Sequence, residues 1–315
     1  MAVLLLFPLS VKGSGSMKIK SNSNFWPIVF IAPFFICFFL FNLFPILYSF
    51  YMSTLNWAGY DTKVFVGLQN FVNIFTKDKV FWKSVLNTIK IGMMGFPPAL
   101  VLGLVFAALL WNVHKGKNAL QTINFLPYIT TPVAIGMVFT FLFEQHIGLL
   151  NRIITLMGGK AINFMGTAQW APVVVAFMIM WRNTGYFMTM YLAGMTAIPD
   201  DLYEAAMIDG ATKIQCFFKI TLPLLKSVSS FLIITSVIYI FQMFDEVNLL
   251  FTNQTSSVVG GPQQSCLTIV WNFYNQAFGP NPRMGYASAM SCVLFVIIAV
   301  VSIIGLRVMN GKEDF

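Results

Sequence analysis

Six apolar runs, each long enough to cross a bilayer as a helix, decide what this chain can become. They cover residues 26–53, 85–111, 120–143, 170–195, 227–251 and 285–309, and a span takes about 20 such residues. The runs are continuous rather than alternating, so they read as helices and not as barrel strands. Pro33, Pro45, Pro97, Pro98, Pro127 and Pro132 fall inside them. Membrane helices keep such prolines where neighbours satisfy the freed carbonyls, so kinks are expected. With 57% hydrophobic and only 10% charged residues, the chain could not cover a soluble domain with polar surface. The net charge of +8 is therefore not a nucleic-acid footprint, because most Lys and Arg sit in the loops between spans.

Cys37, Cys216, Cys266 and Cys292 lie in four separate segments, with no CxxC spacing. With only His114 and His146 beside them, a metal site is not expected, and the cysteines read as small buried hydrophobes. Residues 1–24 read as a flexible cytoplasmic tail or a cloning remnant. Their run from Ala2 to Pro8 is too short for a secretory signal, Gly13-Ser14-Gly15-Ser16 resembles a linker, and Met17 fits a natural start.

The loops set the orientation. Placing the N-terminus inside puts Lys115 and Lys117, in the short 112–119 loop, on the cytoplasmic side, as the positive-inside rule requires. Both termini and the 196–226 loop are then cytoplasmic. The long loops 54–84, 144–169 and 252–284 face outward with Trp57, Tyr60, Asn70, Asn73, Trp271 and Tyr274. The simpler reading of these residues is interfacial belting and solvated loop; a docking surface for an extracytoplasmic partner is the alternative. Trp111 and Trp170 read as interface anchors, and Lys90 as a snorkelling cation without a function.

The cytoplasmic loop is polar between two greasy spans. Asp200 and Asp201 after Pro199 suit a helix N-terminus, and Gly210 suits a C-terminal turn needing positive φ. A second helix follows, with Phe217, Phe218 and Ile220 beside Lys213 and Lys219. Ala205 and Ala206 allow close approach of another surface, and Glu204 offers it a carboxylate. An ordinary amphipathic loop packed on its own protein remains the competing reading.

Glu204-Ala205-Ala206, three residues, Gly210, nine residues, Ile220, one residue and Leu222-Pro223 form a gap-free run. It resembles the signature loop of binding-protein-dependent ABC importer permeases. The stretch Leu192 to Glu204 is similar to their carbohydrate branch. Phe65 to Phe71, Phe125-Leu126-Pro127, Gly148-Leu149-Leu150-Asn151, Phe244-Asp245-Glu246, Gly260-Gly261-Pro262 and Gly285 to Ala289 resemble the first, maltose-permease type of subunit. Two departures stand out: the turn before Gly-Gly-Pro is expanded over 252–259, and the chain has no room for a large extra outer domain.

The resemblance implies an all-α integral membrane protein, a six-transmembrane-helix type I ABC importer permease with a cytoplasmic coupling-helix loop. The permease domain would be 25–315, with its core at 82–309 and the coupling loop at 196–226. It implies a second permease subunit, two ATP-binding subunits that hold ATP and Mg, an extracytoplasmic solute-binding protein, and a bacterial or archaeal inner membrane. Glu204, Ala205, Ala206, Asp209, Gly210, Leu222 and Pro223 would couple to the ATPase, Glu204 pairing with a basic residue there.

Polar side chains inside spans point to a path. Arg182 lies mid-span, where a charge demands a partner or a watery cavity; pairing with Asp245 or Glu246 would only hold the bundle together. Tyr186 shares its helix face and Asn183 adjoins it. Ser236, Tyr239, Gln242 and Glu246 follow at helical spacing, a stripe suited to sugar hydroxyls and pyranose faces. The resemblance places Asn183, Tyr186, Ser236 and Tyr239 near the sugar, while Ile240 and Met243 depart from it. No GxxxxGK[ST] occurs, so this chain performs no nucleotide chemistry and is not expected to be an enzyme. A permease for glycerol phosphate or another polyol, and an ion-driven carrier built on inverted repeats, are the competing functions.

Overall fold

The computed structural model describes residues 25–113, 115–252 and 259–310. The expectations for the 1–24 tail, His114, most of the expanded turn and the last five residues lie outside them. The chain divides into two compact units, Met1–Tyr48 and Ser49–Phe315.

The first unit contains α1 (Phe25–Phe38), a π-turn (Phe39–Leu43) and the start of α2 (Phe44–Ser53). Residues Val29–Ser53 form a span of mean hydropathy 2.4. Phe30, Phe34, Phe41 and Phe44 are exposed, as on a helix apolar around its whole circumference. The amide of Phe44 bonds back to the Phe39 carbonyl, five residues away. This wide turn lies just before Pro45, which cannot donate to the helix and crowds the preceding turn.

In the second unit α2 leads into a small antiparallel pair, β1 (Leu55–Asn56) and β2 (Val64–Phe65). Then come α3 (Gln69–Thr76) and α4 (Lys79–Trp111). Asp78 caps α4, its carboxylate accepting from the Phe81 amide at 2.8 Å. Pro97 and Pro98 leave α4 one continuous helix of 33 residues.

The expected third span is two helices, α5 (Lys117–Ile129) and α6 (Pro132–Leu142), bent by 94°. The cause is local. Thr130 and Thr131 are extended, the conformation that a following proline imposes on Thr131, and Pro132 opens α6. The short α7 (Leu149–Leu156) follows, then α8 (Ala171–Thr196).

The loop helices α9 (Asp200–Ile208) and α10 (Lys213–Cys216) lead through a second π-turn (Phe217–Thr221) and α11 (Leu222–Leu224) to α12 (Lys226–Gln242). The chain bends by 60° between α11 and α12. The expected fifth span also ends early. Met243 is extended, and a separate helix, α13 (Asp245–Thr252), packs on α6. After the 3-10 turn Pro262–Gln264, α14 (Ile269–Phe278) and α15 (Met284–Asn310) complete the unit. Three described helices are individually long and apolar enough to cross a membrane, and each of the two bent pairs passes when taken together.

Helix α8 is the hub, exposed over most of its length only along a narrow stripe at Val173, Phe177, Trp181 and Ala193. It lies on α4, whose Gly95, Ala99, Gly103 and Ala107 repeat every fourth residue and are all buried. A side chain at Gly95 would meet Ile179, and one at Gly103 would meet the Phe187–Met188 backbone. Small residues at this spacing let two helix backbones close on each other. Helix α5 docks on α8 the same way: a Cβ at Gly185 would run into the Asn124 carbonyl. A second apolar cluster joins α3, α14 and α15 to the first turns of α4 through Ile74, Phe81, Ile269 and Met290.

Two buried asparagines pin the long loops. Asn70 donates to the carbonyls of Ser53 and Leu55. Asn151 donates to the Ile162 carbonyl and accepts from the Ile162 amide, both at 2.8 Å. Glu144, in the same loop, accepts from the backbone amides of Ile147 and His146, which hold its carboxyl below the usual range.

Gly185→Ala is expected to push α5 off α8 and to lower stability by about 2 kcal/mol, the usual scale of overpacking. Thermal unfolding in detergent micelles measures this; an unchanged midpoint would mean that the α5–α8 contact is not tight.

Candidate functional site: an exposed loop and a polar cavity

The loop helices are built by strong local signals. Asp200 and Asp201 occupy the first turn of α9, although its cap residue is Pro199 rather than an acid. At the other end the amide of Gly210 bonds the Met207 carbonyl and that of Ala211 the Ala206 carbonyl. This pair of bonds is a Schellman close, and Gly210 takes the left-handed φ of +81° it needs. Nothing stands near a Cβ at Gly210, so backbone conformation alone demands glycine. Thr212 and Gln215 form a reciprocal capping box on α10. The Tyr203 and Thr221 hydroxyls, 2.9 Å apart, tie the two limbs together.

The second π-turn copies the first. Leu222 bonds back to Phe217, five residues away, just before Pro223. Glu204, Ala205 and Asp209 are exposed, Ala206 and Leu222 half-buried, and Pro223 exposed. Glu204 makes no ion pair among the described residues. Ile208 and Ile214 are 86% and 71% exposed, as is much of Met207. A loop in water does not normally present such an apolar tip unless another surface covers it.

The second feature is a cavity of about 250 Å³, where α12 stops and α13 begins. Arg182, Tyr239, Gln242, Asp245 and Glu246 supply its polar lining, with Phe96, Ile179 and Phe244 among the apolar walls. Arg182 meets Glu246 at 2.5 Å. The two side chains are 18% and 21% exposed, and the Arg182 Nε has no partner. Glu246 does not continue the α12 stripe: the break at Met243 carries it onto α13, and that break turns it toward Arg182.

Tyr186 stacks on Tyr128, with ring centroids 4.6 Å apart, and the Arg182 guanidinium lies 5.9 Å from the Tyr128 ring. The Tyr128 and Tyr239 phenols lie close enough to act on each other electrostatically. Tyr128 thus links the polar residues of α8 and α12, a role that sequence reasoning missed. Its only signal was its place beside Pro127, two residues before the α5–α6 bend. Asn183 and Ser236 are engaged elsewhere, donating to the Ile179 and Leu232 carbonyls of their own helices.

A bundle of broken apolar helices, with a polar cavity inside and an exposed loop at one end, is the architecture of a membrane permease. Residues 99–309 match the family model described as binding-protein-dependent transport system inner membrane component, and the chain belongs to that family. The lactose transport system permease protein LacF of Rhizobium radiobacter is 35% identical over 93% of this chain and 96% of its own length. The sn-glycerol-3-phosphate transport system permease protein UgpA of Escherichia coli O6:K15:H31 is 30% identical over 93% and 97%. The fold matches the crystal structure of a bacterial ABC transporter involved in alginate import, with a TM-score of 0.80 at 21% identity, over 92% of this chain and 96% of that one. This chain is therefore a multi-pass inner-membrane permease subunit of an ABC importer, with a type I permease fold, and not an enzyme.

Two outcomes follow from the geometry. Gly210→Ala forces a left-handed alanine at about 1 kcal/mol, so amide exchange across the end of α9 should quicken about fivefold; unchanged exchange would remove the argument from φ. Arg182→Met should destabilise the bundle by about 3 kcal/mol by stranding Glu246. Adding Glu246→Leu should restore most of that loss in a double-mutant cycle, whereas additive losses would show that the two groups do not interact.

Proposed function

We propose that this subunit forms half of a sugar path and couples it to a separate ATPase through the 196–226 loop. The observation that carries this reading is the exposed apolar tip at Met207, Ile208 and Ile214, beside the exposed carboxylate of Glu204. Such a surface suits a groove on a soluble partner, with Glu204 meeting a basic side chain there. Gly210, Asp209 and the Leu222-Pro223 step set the angle at which the loop meets that partner.

In this reading the loop is cytoplasmic, the N- and C-termini lie on the same side, and the cavity sits within the membrane. A second permease subunit supplies the other wall of the path. Two ATP-binding subunits hold ATP and Mg, and a solute-binding protein delivers the sugar from outside. Nucleotide binding draws the loops together and opens the path outward; hydrolysis resets it.

The chemistry of the cavity favours an uncharged saccharide. Tyr239, Gln242 and the Arg182–Glu246 pair offer donors and acceptors for hydroxyl groups. Among the described residues of its lining the one cation, Arg182, is matched by Glu246, and Asp245 adds a second carboxylate. A phosphate would call for unmatched cations, so glycerol phosphate fits less well than a lactose-like or oligosaccharide substrate. Relatives whose names specify lactose or arabinooligosaccharides support the same class.

Glu204→Ala and Gly210→Pro are each expected to abolish uptake while the protein still inserts in the membrane. Wild-type uptake should survive an uncoupler but not ATP depletion. Full uptake in either variant would end the coupling role, and loss of uptake with the uncoupler alone would point to an ion-driven carrier.

A further inference from the structure

At the end of the bundle away from the coupling loop lies a larger cleft, about 580 Å³, between α3, α14, α15 and the Gly260–Gly261 turn. Its character is unlike that of the cavity at Arg182. Asn272 and Tyr286 form a buried floor, the amides of Asn275 and Gln276 line the wall, and Lys77 and Arg283 stand at an exposed rim.

The charges are unevenly used. Asp78, the one carboxylate in the lining, is already committed: it caps α4 through Phe81 and accepts the Tyr286 hydroxyl at 2.7 Å. Lys77 and Arg283 have no ion pair among the described residues. Arg283 is nonetheless held in place. Its guanidinium lies 4.3 Å from the Tyr286 ring, and its backbone amide donates to the Gln276 carbonyl at 2.6 Å. The side-chain amides of Asn275 and Gln276 have no hydrogen-bond partner among the described residues. Two cations and two free amides therefore face one concave space, and the fork of Arg283 is fixed before anything binds.

These groups fit a carboxylate carried on a hydrogen-bonding chain. A saccharide fits less well, because among the described residues of the lining Tyr286 is the only aromatic one and Arg283 lies against its ring. We propose that this cleft seats an acidic peptide segment of the extracytoplasmic solute-binding protein, its Asp or Glu side chains meeting Lys77 and Arg283 and its backbone meeting Asn275 and Gln276. The inference rests on the importer reading and adds to it the place and the chemistry of docking.

The test uses the full complex, this chain with its second permease and ATPase subunits, in lipid nanodiscs. ATPase activity is titrated with the purified solute-binding protein of the same importer. Lys77→Glu with Arg283→Glu should raise the half-saturating concentration about tenfold or more without changing the maximal rate, and added salt should weaken the wild type more than the variant. Lys77→Arg, which keeps the charge, should stay near wild type, whereas Arg283→Lys, which loses the stacked fork, should lose part of the affinity. Gln276→Trp, which fills the cleft without altering its charge, should reproduce the loss and keeps the test open if the charge reversal fails to assemble. Unchanged half-saturation in an assembled charge-reversed or Gln276→Trp complex overturns the proposal. So does binding of free maltotriose to the complex that the charge reversal removes, since the cleft would then hold sugar. If no solute-binding protein stimulates even the wild type, the importer reading itself fails, an outcome distinct from the others.

Discussion

The close seam of α4 on α8 is the contact on which the rest of the bundle depends. Lipid gives two apolar helices little reason to associate, so van der Waals contact between backbones must supply it. The four small residues of α4 at four-residue spacing provide that contact, and Gly185 repeats the device for α5. Once α8 is gripped on two sides, Arg182 and Tyr186 have fixed positions. The cavity can then form where α12 stops before Met243, with Pro132 at the start of α6 in its lining.

Broken helices are unusual in a membrane, because each break frees backbone groups that lipid cannot satisfy. At the α12 break and between α6 and α13, protein side chains supply partners for such groups. Thr268 donates to the Met243 carbonyl where α12 stops, and Thr140 of α6 donates across to the Leu250 carbonyl of α13. The charged residues beside the α12 break are accommodated in the same way, with Glu246 answering Arg182. Interruption and ion pair lie side by side: the break at Met243 ends α12, and α13 beyond it carries the Glu246 that meets Arg182.

Much of this was legible in the sequence, and what was not has a physical cause. Hydropathy placed the main helical stretches, since solvation in lipid leaves few alternatives, and the loop signals at Asp200 and Gly210 are short-range chemistry that local structure obeys. Hydropathy could not see the 94° bend, because it averages over a run and carries no backbone angle; Pro127 and Pro132 hinted at a kink there. Helical spacing likewise extended the polar stripe from Gln242 to Glu246 across a break it does not survive. Asn70 and Asn151 looked like ordinary loop residues, yet each is buried and bonded to distant backbone. Arg182 was open between a structural pair and a cavity wall, and it is both.

The two π-turns carry a further consequence. Each fits one more residue into a helix than regular winding allows, and each residue advances the helix by about 100° around its axis. The turn at Phe217–Thr221 thus acts as a phase shifter between the loop and the start of α12. A relative missing a single residue there would need no other change to wind regularly. Everything downstream would then swing by more than a quarter turn, carrying Tyr239 and Gln242 away from the cavity while hydropathy and loop signature stayed as they were. In this part of the chain, residue count is as much a determinant of the path as residue identity.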